Sequence, residues 1–417
     1  MDEQRFQDYW SLIQELLSCP SGEEEEILPR HSILVDEGLV RVMVQVAAMM
    51  AEEGDPNADW LLGFALQLAE AIGEPAWEQL SQSVVQLDRE GQYAQAVSLA
   101  EAALTLARQI WGEEHPNTAT SLNNLARLYE SQGRLVQAER LYEEALAMRK
   151  RLLPTDHPAV ATSLNNLGFF YRLQGRLAQA EPLYEEALAM RKRLFPDDHP
   201  DVAQSLNNLA ALYDSQGKLP QAEPLLQEAL AMRKRLFPDD HPDVAQSLNN
   251  LAALYDSQGR LAQAEPLYQE ALAMSKCLFP DDHPSVATNL NNLARLYDSQ
   301  GRLAQAEPLY QEALAMRKRL FPNNHPSVAT SLNNLAALYD SQGKLPQAEP
   351  LYQEALAMSK CLFPDDHPSV ATNLNNLARL YNSQGKLAQA EPLYQEALAM
   401  SKRLFSDDHP DVAQSLN

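Results

Sequence analysis

The chain has 417 residues, too many for a single hydrophobic core, and 45% of them are apolar, the proportion of a folded protein. Its 57 acidic and 33 basic side chains give a formal net charge of −24, which argues against nonspecific binding to nucleic acid or to an anionic membrane surface. Three cysteines (Cys19, Cys277 and Cys361), an acidic amino terminus without an apolar core, and no long apolar run lead to the expectation of a cytoplasmic protein with no leader and no membrane span.

Residues 1–74 hold 16 acidic and only 3 basic side chains. The pattern predicts a helix near 3–18, a glutamate-rich loop at 20–30, a helix near 36–53 and another near 57–72. Leu39, Val40, Met43, Val46, Ala47 and Met50 give the third segment an apolar stripe, which reads as core. The expected role of residues 1–74 is a small helical cap or adaptor.

From residue 75 onward the chain is a tandem array. His-Pro recurs at 115, 157, 199, 241, 283, 325, 367 and 409, always 42 residues apart. Each unit reads as two helices. In the unit from Asp201, Leu206, Leu209, Ala210 and Tyr213 make one apolar face, and Gly217 ends the helix. Leu219, Ala222, Leu226, Ala229, Leu230 and Leu236 make the second. Arg233, Lys234 and Arg235 suit the negative carboxyl end of the helix dipole. In the following Phe-Pro-Asp-Asp-His-Pro, the aspartates are expected to cap the next helix and the proline to occupy its first turn. Pro224 is expected to bend its helix without breaking it.

One helix pair cannot bury its apolar faces alone, so the pairs must stack. The expected fold is all-α: a right-handed α-solenoid of helix-turn-helix repeats behind the small amino-terminal helical domain. The expected organisation is an atypical first repeat at 75–116, where Ser81-Gln82 replaces the asparagine pair of later units. Seven full repeats follow at 117–410, and a further one begins at 411–417. The chain reads as ending inside a helix.

The spacing Leu206, Leu209-Ala210, Tyr213, Gly217, Ala222, Ala229 resembles the tetratricopeptide repeat. The 42-residue length, with LNNLA, AEPLY, EALAM and DDHP, is similar to the subtype found in kinesin light chains. Residues 1–74 resemble the helical module that precedes repeats in some large cyanobacterial proteins.

Catalytic signatures are not found: the sequence has no glycine-rich phosphate loop, HExxH, GxSxG or CxxC. The repeated histidines fall one per unit, roughly 10 Å apart by helix packing, whereas zinc ligands lie within about 2.3 Å of one ion. They read as loop punctuation. Cys277 and Cys361 stand where other units carry Arg193, Arg235 or Arg319, and read as products of a two-unit duplication. No cofactor, metal or enzymatic activity is expected.

The word LNNL occurs seven times. Helical spacing assigns Gln204, Asn207, Asn208, Ala211, Asp214 and Ser215 to one polar face, away from the core. Asparagine amides match the N–H and C=O of an extended peptide. In peptide-binding tetratricopeptide repeats an asparagine equivalent to Asn208 contacts the ligand, so the resemblance implies that role for Asn124, Asn166, Asn208, Asn250, Asn292, Asn334 and Asn376. Asn207, Asn249 and Asn291 are candidates on the same face, and the pairs could instead bond to one another. Arg127, Arg295 and Arg379 are groove candidates for acidic groups, although Asp214, Asp256, Asp298 and Asp340 could neutralise them. Where chaperone-binding repeats complete a carboxylate clamp with lysine, this chain has Gln204 or Thr288. The expected function is a scaffold that holds an extended segment of a partner protein. The alternatives are the sensory half of a larger enzyme, or a rod that associates end to end.

Overall fold

The computed structural model describes residues 3–19 and 23–405. The expected start of a further repeat at 411–417 lies outside the described residues. The chain divides into two compact units, 1–152 and 153–417, and no strand occurs among the described residues.

The first unit contains α1 (Glu3–Ser18), α2 (Glu24–Arg30), α3 (Glu37–Glu52), α4 (Ala58–Ile72), α5 (Glu74–Arg89), α6 (Tyr93–Trp111), α7 (Pro116–Ser131) and α8 (Leu135–Leu152). The region expected as a glutamate-rich loop instead contains α2. Glutamate is a good helix former, and a run of it is compatible with a short helix where the chain supports one. Leu39, Val40, Met43, Val46 and Ala47 of α3 are buried, as the stripe requires. Arg5 and Tyr9 of α1 both bond Asp36, which also caps α3 by accepting from the Leu39 N–H. In α5, the Trp77 indole N–H donates to Ser121 Oγ of α7 at 2.8 Å.

The second unit is six helix pairs: α9 (Pro158–Leu173) with α10 (Leu177–Leu194), α11 (Pro200–Ser215) with α12 (Leu219–Leu236), and α13 (Pro242–Ser257) with α14 (Leu261–Leu278). They continue as α15 (Pro284–Ser299) with α16 (Leu303–Leu320), α17 (Pro326–Ser341) with α18 (Leu345–Leu362), and α19 (Pro368–Ser383) with α20 (Leu387–Leu404). Every helix packs on the next, and each first helix also touches the first helix of the following pair. This is a solenoid, in which each pair is buried only by its neighbours. Leu206, Leu209, Ala210, Ala222, Leu226 and Ala229 are all buried, as their spacing requires. Gly217 closes the first helix at φ +70°, where an L side chain is strained, and the Lys218 N–H returns to the Tyr213 carbonyl at 2.7 Å. Pro224 lies inside α12, which continues to Leu236.

The loop chemistry departs from the expectation. His199, not an aspartate, caps α11: its Nδ1 accepts from the Asp201 N–H at 3.1 Å, and its ring stacks on Phe195 at 3.7 Å. The same cap recurs at His115, His157, His241, His283, His325 and His367. Asp198 instead takes a two-point ion pair with Arg235 of the next second helix, at 2.6 and 2.8 Å. Histidine takes the cap because it occupies the position directly before the helix-opening proline, while the longer reach to arginine suits a charged carboxylate.

In the first unit, Glu130 at the end of α7 accepts from the Tyr142 hydroxyl of α8 at 2.8 Å. Burial pushes its carboxyl up to about 7, against the opposing pull of Tyr142 and Arg127. The folded state therefore binds a proton that the unfolded chain releases near pH 4.5. Stability from this group is complete below that value and falls as pH rises toward 7. Glu130→Gln should remove this slope. Urea unfolding at pH 5 and pH 8 should show a loss of about 2 kcal/mol in the parent that the variant lacks, after discounting for partial exposure. Equal slopes in the two proteins would contradict the assignment.

Candidate functional site

The first helices of the second unit present their asparagine pairs to one another in a regular lattice. Successive residues on an α-helix point about 100° apart, so two adjacent asparagines cannot share one face. The structure separates them by burial in four pairs, while both members are half-buried in Asn333-Asn334 and Asn375-Asn376. Asn165, Asn207, Asn249 and Asn291 are only 4–8% exposed, whereas Asn166, Asn208, Asn250, Asn292, Asn334 and Asn376 are half-buried. The expectation that Asn207, Asn249 and Asn291 point away from the core is therefore corrected: these three are buried between helices.

The two members of a pair bond differently. Asn207 donates to the Ala203 carbonyl one turn earlier at 3.0 Å, and its Oδ1 accepts from Asn250 Nδ2 of the next repeat at 3.2 Å. The second bond repeats from pair to pair: Asn208 to Asn165 at 3.2 Å, Asn292 to Asn249 at 3.4 Å, Asn334 to Asn291 at 2.9 Å and Asn376 to Asn333 at 3.4 Å. Each second asparagine thus uses one N–H to hold the repeat before it. Asn208 Oδ1 also accepts from Gln204 Nε2 at 3.0 Å, and Asn250 and Asn292 line one cleft while Asn334 and Asn376 line another. Asn124 lies half-buried on α7 of the first unit.

The groove arginines are paired within the chain. Arg295 lies 3.3 Å from Asp256 and donates to the Tyr268 hydroxyl at 3.3 Å. Arg379 lies 4.0 Å from Asp340 and donates to Tyr352 at 3.4 Å. In the first unit, Arg127 pairs with Asp88 at 3.1 Å. Asp298 has Ala337 where an arginine would stand, and burial raises its carboxyl above the usual range. The arginines therefore neutralise aspartates of the first helix one repeat earlier.

A second set of residues escaped the sequence reading. Arg233, in a basic run that suggested only a surface helix end, is 2% exposed. Its Nη1 donates to the Asp243 carbonyl and to Ser247 Oγ, both at 2.9 Å, and Nη2 donates to Gln204 Oε1 at 3.1 Å. Arg191 and Arg317 make the corresponding bonds to Ser205 and Ser331. Burial lowers the pKa of all three guanidinium groups. One arginine thereby ties three helices: its own, the following first helix and the preceding one. A signal was available in the sequence. MRKRL is followed 14 residues after its first arginine by serine, whereas MSKCL is followed at the same distance from its serine by asparagine. The two positions change together because they touch: Asn289 Nδ2 donates to Ser275 Oγ at 2.7 Å, and Asn373 Nδ2 donates to Ser359 Oγ at 2.6 Å.

The other expected sites are plain. Cys277 and Cys361 are exposed free thiols. Among the described residues there is no cluster of histidine, cysteine, aspartate or glutamate that could hold a metal ion, and no helix long and apolar enough to cross a membrane.

The buried and half-buried asparagines should separate in a stability assay. Asn207→Ala gains about 0.6 kcal/mol of helix propensity but loses the bond to the Ala203 carbonyl and leaves the Asn250 N–H without its partner between the helices, for a net loss of about 1–2 kcal/mol. Asn208→Ala loses two part-exposed bonds, to Asn165 and from Gln204, largely offset by the same propensity gain, and should be within about 0.5 kcal/mol of the parent. Urea midpoints of the two variants check this, and an Asn208→Ala loss as large as that of Asn207→Ala would overturn it.

Comparison with known proteins agrees with this architecture. A tetratricopeptide repeat profile matches residues 86–151, 159–235, 216–276 and 285–360, and a second profile of the same description matches 370–411. A search of curated proteins finds no match. Among solved structures, the chain is similar to a Podosopora anserina protein described as a kinesin light chain with nearly identical TPR-like repeats. That similarity is 27% identity over 50% of this chain and 98% of that one, with a TM-score of 0.42. It is similar to BtubC (BKLC) from P. vanneervenii at 26% identity over 61% of this chain and 92% of that one, with a TM-score of 0.44. A Rap protein solved with competence and sporulation factor shares the fold at 15% identity, over 88% of this chain and 99% of that one, with a TM-score of 0.54. The chain belongs to the tetratricopeptide repeat family, with the 42-residue repeat of the kinesin-light-chain-like form.

Proposed function

We propose that the protein is a non-catalytic scaffold whose first helices bind an extended segment of a partner protein through the second asparagine of each pair. The observation that carries this reading is the ladder of half-buried amides at Asn208, Asn250, Asn292, Asn334 and Asn376, each held by a bond to the preceding repeat. A pinned amide loses little conformational freedom on binding, so its remaining N–H, and its carbonyl except at Asn208 where a peptide must displace Gln204, are preorganised for a peptide backbone. Contacts to backbone amides fix an extended chain without reading its side chains. Each rung contributes about 0.5–1.5 kcal/mol, so several rungs are needed for useful affinity. Asn124 and Asn166 belong to the same set by their place in the repeat. Arg127, Arg295 and Arg379 shape the groove wall through their aspartate partners. The exposed thiols Cys277 and Cys361 suit a reducing, cytoplasmic compartment, and residues 1–74 serve as a helical cap of the array.

The test is selection of a random 12-residue displayed peptide library on the full chain. Binding of the selected peptides is then compared between the parent and a variant carrying Asn208→Ala, Asn250→Ala and Asn292→Ala. Loss of three rungs should weaken binding at least tenfold while the circular dichroism spectrum stays helical. Undiminished binding to the triple variant, or no peptide recovered from the parent, contradicts the reading.

A further inference from the structure

The arginine of each second helix is replaced by serine in three repeats of the second unit, at Ser275, Ser359 and Ser401, and at the first two a cleft opens where it would lie. Ser275 on α14 and Ser359 on α18 stand at the positions of Arg233 and Arg317. The asparagines that accompany them, Asn289 and Asn373, are buried and bond to the serines. Serine and asparagine together do not refill the space of the guanidinium. A cleft of about 290 Å³ is lined by Ser275, Ser285, Gln246 and Asn289 between α13 and α15. A second, of about 270 Å³, is lined by Ser359, Ser369, Thr330 and Asn373 between α17 and α19. Both are shared with the asparagine ladder.

The occupied copies show which chemistry these clefts accept. Arg317 donates to the Ser327 carbonyl at 3.0 Å and to Thr288 Oγ1 at 3.2 Å, and Arg233 donates to the Asp243 carbonyl and to Gln204 Oε1. The corresponding groups in the clefts are the carbonyl and Gln246 at Ser285, and the carbonyl and Thr330 at Ser369. These acceptors stand at a place built three times over in the same chain to hold a guanidinium. We propose that the two clefts receive arginine side chains of the bound partner segment, which complete the repeats from outside as Arg191, Arg233 and Arg317 complete them from within. This rests on the groove reading above and adds its side-chain specificity. Arginine fits better than lysine because its planar fork reaches two acceptors at once. The net charge of −24 draws basic segments to the surface. Arg295, on the wall of the first cleft, is offset by Asp256 at 3.3 Å.

The clefts lie 84 residues apart in sequence, which is two repeats. First helices packed about 10 Å apart place them about 20 Å from each other. An extended chain covers that distance in about six residues at ~3.3 Å each. The partner motif is therefore two arginines about six positions apart.

The experiment uses fluorescein-labelled 14-residue peptides of glycine, serine and alanine with two arginines separated by three to nine positions. They are compared with peptides carrying glutamate or alanine at the same sites. The second protein carries Ser275→Arg with Asn289→Ser and Ser359→Arg with Asn373→Ser, which restores the arrangement around Arg233 and Ser247 and so preserves the fold. Anisotropy titrations should show affinity peaking near a separation of six, at least tenfold above a separation of three. That spacing preference should fall below threefold in the plugged protein. Peptides of equal charge differ only in spacing, so general attraction cannot mimic the result. A preference that survives plugging, no dependence on spacing, or tighter binding of the glutamate peptides overturns the inference. Equal binding of arginine and alanine peptides, lost on removing the asparagine ladder, overturns it while leaving the groove reading intact. No peptide binding at all overturns both.

Discussion

A polar side chain placed between two packed helices must find its partners there, because each buried unsatisfied group costs about 1–3 kcal/mol. The second unit meets this requirement by lateral exchange: α11, α13, α15, α17 and α19 each lend an N–H to the first helix of the preceding repeat. Asn207 sits at the centre of such an exchange, bonded to its own helix through Ala203 and to the next repeat through Asn250. Apolar burial drives the stacking but is non-directional. The amide bonds and the buried arginines set how one repeat lies on the next. The same bonds position the half-buried asparagines at the groove, so the register of the scaffold and the geometry of its proposed binding face have one cause.

The periodic part of this architecture is plain in the sequence. Leucine and alanine at helical spacing give the core, and Gly217, with its positive φ, gives the turn. What escaped notice depends on details that a pattern of residue types does not carry. A polar face drawn from spacing alone is wide enough to include both Asn207 and Asn208, yet the 100° between them decides which one is buried. In Arg233, Lys234 and Arg235, three cations look alike, but one is buried among three helices, one pairs with Glu270 and one with Asp198. Aspartate and histidine are both able to cap a helix. The cap falls to His199 because it stands directly before Pro200, while Asp198, one residue earlier, reaches Arg235 of the next repeat. These choices are made by the neighbouring repeat, which a reading of one helix at a time does not include.

Variation between near-identical repeats then carries most of the functional information. The concerted change from arginine and serine to serine and asparagine keeps the two positions bonded to each other, which is why they change together. It also exchanges a filled site for an open one. Arg295 and Arg379 vary in the same units, and each answers an aspartate on the first helix one repeat earlier. A uniform array would offer a uniform groove. The departures from uniformity place distinct side-chain environments along an otherwise regular amide ladder, and give a repetitive scaffold the means to select a segment by its side chains as well as its backbone.

The central claim is that the Asn207–Asn250 bond couples adjacent repeats, and a double-mutant cycle with Asn207→Ala, Asn250→Ala and the double variant measures it directly. Urea unfolding should be fitted with nearest-neighbour repeat energetics, because a long array does not unfold in one step. The account requires a coupling of about 1 kcal/mol between the two positions, with the double variant less destabilised than the sum of the singles. Strictly additive effects would mean that the amide lattice does not hold the repeats together.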